Sequence, residues 1–301
     1  MSEAKDILVS IRVIAYNSAN TILDTLESIK TQTYPNIELI ISDDCSKDKT
    51  VEICREWLEK NGSRFARTEL ITVPQNIGVS ANINRAENAC RGEWIKGIAG
   101  DDLLMPNCVQ DCMDYVAEHP DTIYLFGRCK AFGTDEERCK EIDAMFDYSF
   151  FNMSQEQQLH RLIVSGNCIP ASASFYNRVR FMQLGIKNDE RIPMMEDWPK
   201  WINLLKAGAE LHFMDTVLVK YRVSENSLST AATKSVRYSK SEMLMYKYYQ
   251  FPYLYRHGNK KEAVLKLMQA EKFIHDNAFI WRMIVYIYKK IIGVNNRSTI
   301  K

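Results

Sequence analysis

Apolar and β-branched residues run almost unbroken from Ile7 to Ala15, the pattern of a strand buried on both faces of a parallel sheet. Past Tyr16-Asn17-Ser18, the residues Ile22, Leu23, Leu26 and Ile29 recur at helical spacing. Pro35-Asn36 turns the chain into a second apolar run, Ile37 to Ile41, which ends at Ser42-Asp43-Asp44. Val51, Ile53, Cys54, Trp57 and Leu58 predict the next helix, stopped at Asn61-Gly62. The alternation continues with a strand over Leu70 to Val73, a helix over Ala81 to Cys90, a strand over Trp94 to Ala99, a helix over Pro106 to His119 and a strand over Ile123 to Phe126. From Asp135 to Gln158 the pattern weakens into charged and aromatic, loop-like sequence. A strand over Ala171 to Tyr176, an amphipathic helix over Trp198 to Ala207 and a short strand over Val217 to Tyr221 follow. Such alternation predicts an α/β fold on an open, mostly parallel sheet, whose ligands bind beyond the carboxyl ends of the strands.

After Ser229-Thr230-Ala231 the sequence becomes basic, aromatic and helix-compatible, so residues 1–231 are expected to form the body and 232–301 a helical extension. Charge supports the division. The 301 residues carry a formal charge of only +1, but residues 232–301 hold 14 Lys and Arg against 4 Asp and Glu, which leaves the body acidic. This asymmetry suggests an anionic partner for one end, or else a solvated helical face. A hydrophobic content of 46% with 26% charged residues excludes disordered and fibrous classes.

The polar start Met1-Ser2-Glu3-Ala4-Lys5-Asp6 lacks the plan of a secretory signal, which predicts a cytoplasmic protein. The apolar stretch Ala278 to Val294 is interrupted by Arg282, Lys289 and Lys290 and is not expected to span a membrane. Eight scattered cysteines, none in Cys-x-x-Cys, read as reduced structural thiols. Neither Gly-x-x-x-x-Gly-Lys nor Gly-x-Gly-x-x-Gly occurs, against P-loop and Rossmann-type cofactor readings.

Three acidic constellations carry candidate chemistry. Asp43-Asp44-Cys45-Ser46-Lys47-Asp48 follows the second strand, where carboxylates can accept bonds from a nucleobase or ribose, or cap the next helix. Gly100-Asp101-Asp102 ends the strand Trp94 to Ala99; adjacent carboxylates at a buried strand end repel unless a cation or donors compensate, so a Mg²⁺ or Mn²⁺ diphosphate site is one reading and a helix cap the other. Glu196-Asp197-Trp198 opens a helix, where acids suit the macrodipole or supply a general base.

Val9-Ser10-Ile11-Arg12-Val13-Ile14-Ala15-Tyr16-Asn17, Gln32-Thr33-Tyr34-Pro35-Asn36-Ile37-Glu38, the Asp43 to Asp48 loop, Asn76-Ile77-Gly78-Val79-Ser80, Gly92-Glu93-Trp94-Ile95, Gly100-Asp101-Asp102, Glu196-Asp197-Trp198 and Tyr221-Arg222 stand in the order and spacing of family 2 glycosyltransferases, which residues 7–230 resemble. The resemblance implies a GT-A fold, a nucleotide-sugar donor (a UDP-sugar is expected), a divalent cation and inversion at the anomeric carbon. By it, Asp44 resembles the aspartate that contacts the nucleotide base, with Ala15, Tyr16, Asn17 and Asp43 in the same pocket. Asn82 and Asn84 match a donor-site asparagine, and Arg222 joins the donor-binding set. Asp102 resembles the metal-binding aspartate, with Asp101 beside it near ribose or metal. Asp197 resembles the catalytic base, with Glu196 its neighbour. The resemblance thus divides the body into nucleotide-sugar binding over 1–130 and an acceptor and base region over 131–231.

The chain departs from the family pattern in three places. Ala99 stands where many members have the first acid, which leaves metal ligation to rest on Asp102 alone. Cys45 replaces a common glycine, and Ser224 a common histidine.

In the extension, Tyr246, Tyr248, Tyr249, Phe251, Tyr253 and Tyr255, and later Phe279, Trp281, Tyr286 and Tyr288, stand among lysines and arginines. These suit peripheral contact with the cytoplasmic membrane face, or packing onto the body or a second subunit in a homo-oligomer. A sugar-transfer body favours a glycan or lipid-linked glycan acceptor in surface polysaccharide biosynthesis over nucleic acid. A catalytically silent nucleotide-sugar-binding or scaffold protein is the rival, and the joint presence of Asp44, Asp102 and Asp197 counts against it.

Overall fold

The computed structural model describes residues 7–223, 236–274, 283 and 286. The body opens with β1 (Val9–Ala15), α1 (Ile22–Lys30), β2 (Ile37–Asp43), α2 (Thr50–Asn61), β3 (Arg67–Thr72), α3 (Val79–Ala89) and β4 (Trp94–Ala99). A two-residue β5 (Leu103–Leu104), α4 (Cys108–Glu118), β6 (Tyr124–Phe132), α5 (Glu136–Met145), α6 (Gln155–Ser165), β7 (Ser174–Asn177), α7 (Arg178–Gln183), α8 (Asp197–Lys206) and β8 (Leu211–Arg222) complete it. The strands form one sheet in the order β3-β2-β1-β4-β7-β6-β8-β5.

The expected parallel arrangement holds for β3-β2-β1-β4. Beyond β4 the sheet is mixed: β7 runs antiparallel to both β4 and β6, β6 and β8 are parallel, and β5 is antiparallel to β8. Every residue of β2 is buried, including Glu38, which is paired with Arg67 at 2.9 Å and accepts from the Gly92 N–H at 2.9 Å. Along β1 alternate side chains face opposite sides of the sheet, and a core lies on each side. Val9, Ile11 and Val13 join Leu26, Ile29 and Trp57 on one face, while Ile40, Ile95, Tyr124, Tyr176 and Trp201 form the core of the other. All eight cysteines are free, as reduced thiols would be.

The loop-like reading of 135–158 is corrected, because α5 and the start of α6 occupy it. The signal was local: Ser154 and Gln157 form a reciprocal capping box at the start of α6, and the Asp135 side chain accepts from the Arg138 N–H at the start of α5. The strand expected over Val217 to Tyr221 begins at Leu211, where it joins β6.

The proposed boundary at 231/232 lies outside the described residues. Beyond it come α9 (Val236–Met245), a π turn (Tyr246–Gln250), α10 (Phe251–His257) and α11 (Lys260–Ile274). Several of their aromatics turn toward the body. Met245 and Tyr249 are buried in the second core, and Tyr238, Tyr248 and Tyr253 pack against it. Tyr249 donates to Asp189 Oδ2 at 2.9 Å, Gln250 Nε2 to the Ile163 carbonyl at 2.6 Å, and Arg191 lies 4.1 Å over the Tyr248 ring. Among the described residues this part of the extension therefore packs onto its own body; Phe279, Trp281 and Tyr288 lie outside them. No helix among the described residues is long and apolar enough to cross a membrane.

Candidate active site

Strand register assembles the site. Ala15 pairs with Asp43 and Ile14 with Ala99, so the ends of β1, β2 and β4 deliver their loops side by side. The Asp44 N–H donates to the Ala15 carbonyl and the Gly100 N–H to the Ile14 carbonyl, each at 2.9 Å. Asn17, in the left-handed region at φ 51°, donates its N–H to Ser46 Oγ at 2.7 Å and accepts from the Lys47 N–H at 2.8 Å. Cys45 also has positive φ, 67°, the conformation that favours glycine at such a position.

Asp43 spends its carboxylate on this turn, accepting from the Ser46 N–H at 2.8 Å and from the Ser46 hydroxyl. Asp44, 2% exposed, has a different set of partners. Its Oδ2 accepts from the Ile77 and Gly78 N–H groups at 3.1 and 2.8 Å, and its Oδ1 from Arg85 Nη2 at 3.1 Å. Arg85 also donates to Ser42 Oγ and Asn82 Oδ1, and Asn82 donates to the Ser42 carbonyl. Asn82 thus joins this group. Asn84 does not: it binds the Asn188 carbonyl at 3.0 Å and Glu190 Oε1 at 2.8 Å, beside a cavity of about 670 Å³ lined also by Lys206 and Tyr249. Tyr16 is half-exposed at the rim and Ala15 is buried.

At the end of β4, Asp102 is 2% exposed and its Oδ1 accepts from the Arg222 N–H at 2.9 Å. Burial, then the adjacent Asp101 charge, pushes the Asp102 carboxyl well above the usual carboxylate range, and burial raises Asp101 as well. Arg222 ties the end of β8 here, donating to the Asp101 carbonyl at 2.7 Å and to Asp24 Oδ2 at 2.9 Å, with its guanidinium 4.7 Å over Phe132. Ser224 lies outside the described residues. Two hard carboxylates short of countercharge fit a divalent cation by their chemistry. Among the described residues no group of three or more His, Cys, Asp or Glu converges, so such an ion would complete its shell with donor phosphates and water.

The loop before α8 is docked on the start of α3. Ser80 donates its hydroxyl to the Ile192 carbonyl at 2.7 Å, and Gly78, at φ 106°, leaves no room for a Cβ against the Pro193 carbonyl. The same Gly78 N–H binds Asp44, so the acid pair at the start of α8 is carried on a segment braced against the Asp44 loop. Asp197 accepts from the Trp198 N–H and from Asn167 Nδ2, both at 2.7 Å. Burial, then the neighbouring Glu196, raises its carboxyl to about 7. Pro199 fits the first helical turn, where an N–H has no intrahelical acceptor.

The sequence reading missed Arg85 and the contribution of the extension. Arg237 of α9 donates to Asn76 Oδ1 at 2.7 Å and lies against Gly78. Burial, then Glu242, Asp197 and Glu196, raises the Tyr238 hydroxyl, so the first turn of α9 stands beside both acid groups. In the sequence this segment was marked by its basic and aromatic residues, with packing onto the body one of the alternatives left open.

Residues 10–180 match glycosyl transferase family 2. The chain is 24% identical to a putative teichuronic acid biosynthesis glycosyltransferase of Bacillus subtilis, over 76% of this chain and 84% of that protein. It superimposes on S. aureus TarS residues 1–349 in complex with UDP-GlcNAc with a TM-score of 0.64 at 17% identity, over 90% of this chain and 73% of that one. It also superimposes on a Pyrobaculum calidifontis mannosyltransferase in complex with GDP-Man and Mn²⁺, with a TM-score of 0.57 at 16% identity, over 97% and 76% of the two chains. The fold is that of the GT-A glycosyltransferases. With more than half of its length matched, the chain belongs to glycosyl transferase family 2.

Proposed function

We propose that this chain is an inverting glycosyltransferase that moves a hexosyl or N-acetylhexosaminyl unit from a UDP-sugar to a hydroxyl of a glycan or lipid-linked glycan, in the assembly of a surface polysaccharide. The observation that carries the reading is Asp197, a carboxylate raised to about 7 by burial and by Glu196, on a segment braced against the Asp44 loop. A base of that strength changes protonation state near neutral pH, as proton removal from an acceptor hydroxyl requires. The complexes that resemble this fold hold UDP-GlcNAc or GDP-Man, which supports a nucleotide-sugar donor. The teichuronic acid relative supports the acceptor class.

In this reading Asp44 and its neighbours Ala15, Tyr16 and Asn17 receive the nucleoside. Asp102, with Asp101, would hold the divalent ion, which when bound would offset charge on the departing diphosphate. Asp197 takes the proton of the acceptor hydroxyl as that oxygen attacks the anomeric carbon from the face opposite the diphosphate, so one displacement inverts the configuration. Glu196 keeps the Asp197 proton affinity high. The test is a donor-hydrolysis screen across nucleotide sugars with Mn²⁺ or EDTA. Cation-dependent release of UDP from one sugar donor is expected; no turnover of any nucleotide sugar in either condition overturns the reading.

A further inference from the structure

The segment that leads to Asp197 is held from two sides, and only one of them belongs to the body. On the body side α3 docks it: Asn84 Oδ1 accepts from the Asn188 N–H at 3.1 Å and from Asn188 Nδ2 at 2.8 Å, and the Ser80 hydroxyl donates to the Ile192 carbonyl. On the other side stands the extension. Its Tyr249 hydroxyl donates to Asp189 Oδ2 at 2.9 Å and accepts from Asn203 Nδ2 at 3.3 Å. Asp189 lies eight residues before Asp197, and Asn203 lies six residues after it, on α8. One hydroxyl thus ties together the two flanks of a stretch with Asp197 between them.

The anchor at Asp189 is itself fixed. Its carboxylate accepts from Arg191 Nε at 2.8 Å and Nη2 at 2.6 Å, and from the Arg191 N–H at 3.1 Å. Such a two-pronged pair sets orientation as well as distance. The Arg191 guanidinium lies in turn over the Tyr248 ring. Tyr248 and Tyr249 both come from the π turn Tyr246–Gln250. Neighbouring residues of a regular α-helix do not share a face; where the π turn widens the helix, both rings meet the same loop. Turns of this kind are rare and gather at functional sites. Tyr249 is also 7% exposed, so little water is at hand to replace a lost partner. Proton transfer gives this rigidity a use, because a base must stand within hydrogen-bond reach of the hydroxyl that it deprotonates, and small misplacements cost large factors in rate.

We propose that Tyr249 is a positioning residue for sugar transfer: by its hydroxyl, which bridges Asp189 and Asn203, the extension fixes the segment that carries Asp197. The proposal rests on the reading of Asp197 as the base, and its test separates the two. Tyr249→Phe keeps the ring and removes the hydroxyl. In the full-length protein, hydrogen–deuterium exchange over residues 187–203 is expected to quicken about tenfold while that of β1 and β2 stays unchanged. The kcat for UDP release, from the donor that the hydrolysis screen identifies, is expected to fall roughly tenfold. The Kd of UDP with Mn²⁺, measured by calorimetry, should stay within about threefold. A merely structural role would not separate kcat from nucleotide binding in this way. Asp189→Ala should show the same split, and adding Tyr249→Phe to it should slow the enzyme no further, since both changes break one bond. Unchanged exchange or wild-type kcat in Tyr249→Phe overturns the proposal, as do losses that multiply in the double variant. If Tyr249→Phe does not fold, Asn203→Ala decides by the same readouts of exchange and kcat. Failure of the base reading is seen separately, as wild-type turnover in Asp197→Asn, and exchange still decides whether the clamp exists.

Discussion

Asp44 Oδ2 accepts from the Gly78 N–H at 2.8 Å, while the Pro193 carbonyl lies where a Gly78 side chain would stand. A single residue thus binds the carboxylate after β2 and braces the loop that leads to Asp197. Gly78→Ala meets both constraints, because φ 106° strains any L side chain and the added Cβ would sit 2.8 Å from the Pro193 carbonyl. We expect a loss of about 1–3 kcal/mol of stability in chemical denaturation, with a fall in kcat of roughly tenfold or more as the α8 segment is displaced. Wild-type stability and turnover together would show that this contact is slack.

Asp197→Asn removes the base and keeps the shape. Transfer should fall by about 10²–10⁴-fold, while donor binding measured by calorimetry stays within about threefold. In the wild type, the rate should be lost as pH drops through about 7, because the carboxylate must be unprotonated to accept. A donor that no longer binds the variant would move Asp197 from the acceptor side to the donor side.

The same substitution should stabilise the fold. A carboxyl raised in the folded state binds its proton more tightly there than in the unfolded chain, so ionisation opposes folding. The cost is absent below the unfolded value of about 4, grows as pH rises toward 7 and is full above it. At about pH 8, Asp197→Asn should gain on the order of 1–2 kcal/mol, a rise in Tm of roughly 3–6 °C, and at about pH 4 little or nothing. Thermal melts at the two pH values check the sign, and an equal gain at both would assign the effect to something other than charge.

Removal of divalent cations bears on the Asp101–Asp102 pair. EDTA should abolish donor turnover and Mn²⁺ should restore it; Asp102→Asn should lose that response and, by relieving repulsion at a buried carboxylate, should leave stability unchanged or improved. Wild-type cation dependence in that variant would place the ion elsewhere.

Truncation after residue 231 tests the packing of the extension. It uncovers the surface on which Met245 and Tyr249 lie and removes Arg237 from Asn76. Loss of the two buried side chains alone predicts about 3–5 kcal/mol of destabilisation. A shortened protein as stable as the full chain in denaturant would show that the segment is dispensable to the fold.

Apart from the two-residue β5 and the second half of β6, the order of strands and helices through residue 132 followed from local pattern, since apolar runs and helical spacing record burial directly. The acidic motifs were legible for the same reason, each sitting where a strand or a turn ends. The polarity of the later strands was not: β7 turns antiparallel against β4 and β6, and nothing within Ser174–Asn177 encodes its neighbours. The partners of the site residues were equally hidden. Arg85 reaches Asp44 across 41 positions, Arg222 reaches Asp102 across 120, and Arg237 reaches Asn76 across 161. By itself the sequence determined which carboxylates stand at strand and helix ends. Only the tertiary structure decided which are spent on turns, as Asp43 is, and which are buried beside a like charge, as Asp102 and Asp197 are. The physical reason is that burial and electrostatic coupling depend on what the rest of the chain brings within a few ångströms, which spacing along the chain does not record.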